Sequence, residues 1–176
     1  MFQEPSWKVI GRLILLFRTM VLYSVIAPLP FVLLEDVGGQ FPSFQFFKIF
    51  KLHGTYLYSE YNGLGNTLAL LWAALLLIGF IFWLNNFIRT RKIDLSIAFA
   101  LGLFFNFVLH FIYGEDPFLY SPNWTYALIL FVSMGLGPLA KNRIFQALLA
   151  IFVLLLAYNQ WQFFKFVMDT VSSYLG

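Results

Sequence analysis

Cysteine is absent from the sequence, which excludes disulfides, thiolate metal sites and a cysteine nucleophile. Charge is scarce as well. Asp, Glu, Lys and Arg make up 11% of 176 residues, against about a quarter in a soluble domain. Phosphate loops, dinucleotide fingerprints, H-E-x-x-H helices and nucleophile elbows do not occur, so no motif assigns a reaction. No basic stripe accompanies the 23 phenylalanines, so they are not a nucleic-acid stacking surface. Internal repeats and low-complexity tracts are also missing.

Apolar sequence is what remains. Hydrophobic residues form 61% of the chain, too many for a soluble core and suited to lipid as solvent. A spanning helix needs about 20 apolar residues. The runs at about 13–34, 68–88, 95–112 and 144–164 meet or approach that length, and a shorter one covers 122–139. They are continuous rather than alternating, so helices rather than a closed barrel satisfy the backbone in lipid. The expected fold is an all-α integral membrane protein, a single-domain bundle of five spans. Lys8 and Arg12 precede the first run as they would a signal peptide. That run is too long for one, and it is expected to stay as a helix that Pro28 and Pro30 end or kink.

Basic residues set the expected orientation. Lys8, Arg12 and Arg18 lie at the start of the first run, Arg89, Arg91 and Lys92 between the second and third, and Lys141 and Arg143 between the last two. Alternating spans put all of them on one side. The amino terminus is then cytoplasmic and the carboxyl terminus external, in a membrane expected to be the bacterial inner one. The long connection from Glu35 to Asn66 falls outside. Within it Ser43–Leu52 reads as an interfacial helix at about 43–52, capped by Ser43 and burying Phe44, Phe47 and Phe50 in the headgroup plane.

The stretch from His110 to Trp124 is a turn, punctuated by Gly114, Pro117 and Pro122. Tyr120 and Trp124 are expected at the membrane–water boundary. Asn106, His110 and Tyr113 share one face of the third span, and Asn159 and Gln162 recur along the fifth. Polar groups at that depth face protein or water. They are read as ligand contacts or, more simply, as interhelical hydrogen bonds. Glu35 with Asp36 and Glu115 with Asp116 form two acid pairs on the external side. They are the weak candidates for acid–base chemistry, set against the simpler reading of solvated loop acids. Ala69/Ala73 and Ala98/Gly102 are small-residue pairs that permit close helix approach. Neither a metal nor a cofactor is expected. Bound lipid is, with pigment as an alternative.

The pattern His110-x-x-Tyr113-Gly114-Glu115-x-x-Phe118-Leu119-Tyr120-Ser121, followed by Trp124 and a span, resembles the carboxyl-terminal membrane region of bacterial C-type glycosyltransferase-like proteins. Lys141-Asn-Arg143 and Asn159 extend the resemblance, which covers roughly residues 95–164. It implies a polytopic protein that takes sugar from a polyprenyl-phosphate donor. The catalytic acid would lie in the first external loop, where Glu35 and Asp36 stand. The family builds its donor groove from more than five spans, however. The reading preferred from the sequence is therefore a non-catalytic accessory subunit packed among other integral membrane proteins. A glycosyltransferase-like protein is the alternative, and a small transport or pigment-binding protein the third.

Overall fold

The computed structural model describes residues 6–33, 43–50, 55–92, 94–113 and 121–175. Helices dominate: α1 (Ser6–Arg18), α2 (Gly63–Thr90), α3 (Leu95–Tyr113), α4 (Pro122–Gly135) and α5 (Arg143–Leu175). A π-helical turn, Thr19–Tyr23, continues α1, and a 3-10 turn, Gly137–Leu139, follows α4. Three helices, α2, α3 and α5, are long and apolar enough to cross a membrane. α4, at 14 residues, is about 21 Å long, and its 3-10 extension reaches the end of the expected fourth run.

A short connection joins α2 to α3, and near it Trp83 Nε1 donates to Ser96 Oγ at 2.7 Å. α4 packs against both, and α5 runs antiparallel to α2, with Trp72 stacked on Phe152 at 6.5 Å. We call the end where α2 and α4 begin and α3 finishes the upper end. Leu68, Trp72, Leu128, Phe131, Val132 and Phe152 form the core, joined by Val25 and Ile26 from the first run. At the α2–α4 crossing a Cβ on Gly135 would fall on the carbonyl oxygen of Gly79 and lie 3.0 Å from its Cα. Backbone meets backbone there. The pair Ala98/Gly102 does not make such an approach, since nothing lies within 4 Å of a Cβ placed on Gly102.

The first run is not among the helices long and apolar enough to cross a membrane. Arg12 lies over the ring of Phe111 at 5.9 Å, two residues from the end of α3, and α1 packs against α3 and the segment before α2. Tyr23 donates to the carbonyl of Ser59, just before α2. Arg12 and Tyr23 stand about 16 Å apart along a straight helix, yet both touch the upper end. A straight helix running alongside the bundle would set them about 16 Å apart in depth. The chain instead dips in and leaves again by the same end, and its helix stops at Tyr23 rather than near residue 34. Pro28 and Pro30 lack the N–H a helix needs and force the residues before them to be extended. Arg12 and Arg18 therefore lie at the upper end, away from Arg89, Arg91, Lys141 and Arg143.

The interfacial helix at 43–52 is also corrected. Strands β1 (Phe31–Leu33) and β2 (Ser43–Gln45) pair antiparallel, and β3 (Phe47–Phe50) pairs with β4 (Thr55–Tyr58) in the register Phe47↔Tyr58. Phe44 thus lies on β2, and Phe47 and Phe50 on β3. Phe, Ile, Thr and Tyr are strand formers, and cross-strand pairing outweighed the helical spacing of 44 and 47. Phe46, between the ribbons, is buried and stacks on Phe163 of α5 at 6.0 Å.

Candidate functional site

Where the first run unwinds, its carbonyls lose their helical partners. In apolar surroundings each must find a donor, and protein must supply it where water is excluded. Four side chains do so. Trp72 Nε1 donates to Val21 O at 2.7 Å, Gln160 Nε2 to Val25 O at 2.7 Å, Tyr61 OH to Ile26 O at 3.0 Å and Asn159 Nδ2 to Ala27 O at 3.2 Å. Two come from α5, one from α2 and one from the residue pair leading into α2. Together they form a collar around the dipped segment.

The collar is packed from above. Tyr23 and Tyr61 meet edge to face at 5.8 Å, and Arg18 lies over Tyr23 at 5.5 Å. Burial raises the Tyr61 phenol far above its ordinary value, Tyr23 adds to the effect and Arg18 opposes it. Tyr61 therefore stays a neutral donor. Beside the collar, Pro28, Asn62, Gly65, Asn159, Gln162 and Phe163 are among the residues lining a small open cleft of about 40 Å³. Its polar lining is amide and phenol only.

The other expected positions behave differently. Asn106 turns back to its own helix and donates to Gly102 O at 2.8 Å. Tyr113 is 78% exposed and contributes nothing to the collar. Gln162 is exposed at the cleft, while Asn159 is buried in the collar. His110 is buried with its ring edge-on to Trp124 at 5.0 Å. Trp124 is 0% exposed, so it is a core residue of the α3–α4 contact and not a lipid-facing belt residue. Its indole N–H has no acceptor among the described residues. Glu35, Asp36, Glu115, Asp116 and Tyr120 lie outside the described residues, and the acid-pair site falls there. Among the described residues no three of His, Asp and Glu gather closely enough to hold a metal ion. Gln160, Tyr61, Trp72 and Tyr23 escaped the sequence reading. The adjacent amides Asn159 and Gln160 in a long apolar helix were the signal that could have found them.

A second polar chain sits at the lower end. Asp94 caps α3: its Oδ1 accepts from the Ser96 backbone N–H at 3.0 Å and from the Ser96 hydroxyl, which in turn accepts from Trp83. The side-chain bond from Ser96 is the main reason the Asp94 carboxyl is held below its ordinary value. A depressed carboxylate stabilises the fold fully above the unfolded value of about 3.9 and loses that contribution as pH falls through the folded one. Asp94→Asn keeps a good cap but cannot titrate. Unfolding followed from pH 6 to pH 3 should show a smaller acid-induced loss for the variant than for the parent. Equal losses would mean the cap does not sense pH.

No protein family, curated protein or solved structure matches the chain.

Proposed function

We propose that the chain is an integral membrane protein that serves as a non-catalytic subunit, packed against other integral proteins in a larger assembly. The observation that carries this reading is the collar. The amides, phenol and indole that reach the interior hold the chain's own carbonyls, so the buried polar chemistry is structural. The outer surface supports the same reading. Leu70 and Ile144 are each 73% exposed and Phe104 is 66% exposed, on the three helices long enough to cross a bilayer. Such a surface belongs against lipid or neighbouring helices.

In this proposal α2 to α5 cross the membrane and the first run dips in from one side. Arg89, Arg91, Lys92, Lys141 and Arg143 cluster in the two short lower connections, which favours a cytoplasmic lower end. The amino- and carboxyl-terminal segments then share the opposite side. Purification from native membranes in mild detergent tests the function. The chain should elute with other integral subunits in fixed proportion, and tags on its two ends should be accessible from the same face of sealed vesicles. A chain that travels alone and transfers sugar from a polyprenyl-phosphate donor would overturn the subunit reading. One that arrives alone and coloured would also overturn it. Tags accessible from opposite faces would overturn the topology.

A further inference from the structure

We propose that the outward face of α1 is seated in a single lipid leaflet, the one at the upper end, among acyl chains and beneath anionic headgroup phosphates. The inference rests on the membrane reading above and goes beyond it. It assigns the first apolar run, too short of the lower end to span, to one half of the bilayer.

Five residues carry the face. Val9, Ile10, Leu13, Ile14 and Phe17 are all exposed, Ile10 and Phe17 to 57%. At about 100° per residue they fill one arc of about 140°. The opposite side of α1 is spoken for: Leu15, Leu16 and Thr19 are buried. An apolar arc of that width on a helix with basic neighbours is the signature of an interfacial helix. α1 packs against α3, whose Val108, Leu109 and Ile112 are exposed near the same end. Exposed apolar side chains therefore lie on both of these packed helices.

Position and charge select lipid as the occupant. Because the run enters and leaves by the upper end, α1 lies where acyl chains give way to headgroups. Arg12 and Arg18 are held at that level by the rings of Phe111 and Tyr23. Cations there complement anionic phosphates, each by about fivefold in local partitioning. A protein partner covering the same face would instead keep lipid away from it.

The absence of cysteine makes single-site labelling direct. Ile10→Cys, Ile14→Cys and Phe17→Cys, each carrying a fluorophore, are reconstituted singly in vesicles of zwitterionic and anionic phospholipid. Leu154→Cys, 70% exposed on α5 and midway along its 144–164 apolar run, reports on the bilayer centre. Lipids brominated near the headgroup should quench the α1 labels most, and lipids brominated near the chain ends should quench Leu154→Cys most. Brominated anionic lipid should quench α1 several-fold more than brominated zwitterionic lipid, and Arg12→Gln with Arg18→Gln should equalise the two. Quenching at Leu154→Cys with none on α1 would overturn the proposal and leave the membrane reading standing. Deep quenching along α1 would overturn it in favour of a span. No quenching anywhere would overturn both.

Discussion

Gly135→Ala is expected to destabilise the protein at or beyond the upper end of the 1–3 kcal/mol usual for overpacking, on the order of 3 kcal/mol. The added methyl would meet the Gly79 carbonyl oxygen and carbon, the latter at 2.8 Å. Neither atom can swing aside as the end of a side chain would, because both belong to α2's hydrogen-bonded backbone. α2 and α4 must part, and the core residues Leu68, Trp72, Leu128 and Phe131 part with them. Gly79→Ala should be milder, since its Cβ meets Val132 O at 3.2 Å. Gly102→Ala has open space and gains helix propensity, worth up to about 1 kcal/mol. Thermal unfolding in detergent should rank the variants 135, 79, 102 from worst to best. Equal stability for Gly135→Ala and Gly102→Ala would show that the helices do not cross at those glycines.

Asn159→Leu combined with Gln160→Leu should remove two donors from the collar and leave Val25 O and Ala27 O without partners. Each orphaned buried carbonyl costs about 1–3 kcal/mol, so the pair should lose about 2–6 kcal/mol. Gln162→Leu, at an exposed site on the same helix, should change little. The magnitude decides what fills the gap. Interhelical polar contacts in lipid average about 0.6 kcal/mol, because the separated groups find other partners. A loss near that figure per side chain would mean water enters through the cleft and takes over the carbonyls. The larger loss would mean the dipped segment is sealed from above.

Three helices were legible because a long apolar run and a helix of spanning length are nearly the same observation. The expected 95–112 lies within one residue of α3, and 68–88 lies inside α2. The first run has the same hydropathy, yet its fate depended on donors far away in sequence. Hydropathy measures the preference of side chains for lipid and is silent on whether Trp72, Asn159 and Gln160 will arrive to satisfy an unwound backbone. Residues 43–50 failed for a related reason: the spacing of Phe44 and Phe47 fits a helix, but β4 supplied a pairing partner. The Gly79–Gly135 contact was hidden because a small-residue pair within one helix marks close approach, whereas here each helix contributes a single glycine. Among the candidate polar residues, Asn159 is drawn into the collar, and Asn106 satisfies its own helix. The acid pairs lie outside the described residues.

The collar also sets an order of events during synthesis. Val25 and Ala27 are made early, while Asn159 and Gln160 follow 132 and 135 positions later in the chain. At about 5–20 residues per second, the interval is on the order of ten seconds. Throughout it the unwound carbonyls have no α5 to receive them, although Trp72 and Tyr61 arrive sooner. On the membrane arrangement proposed above, the first run waits at the membrane surface until α5 is made, and its descent into the bundle closes assembly. A ribosome stalled before α5 would hold a chain whose three central helices are in place and whose beginning is still outside.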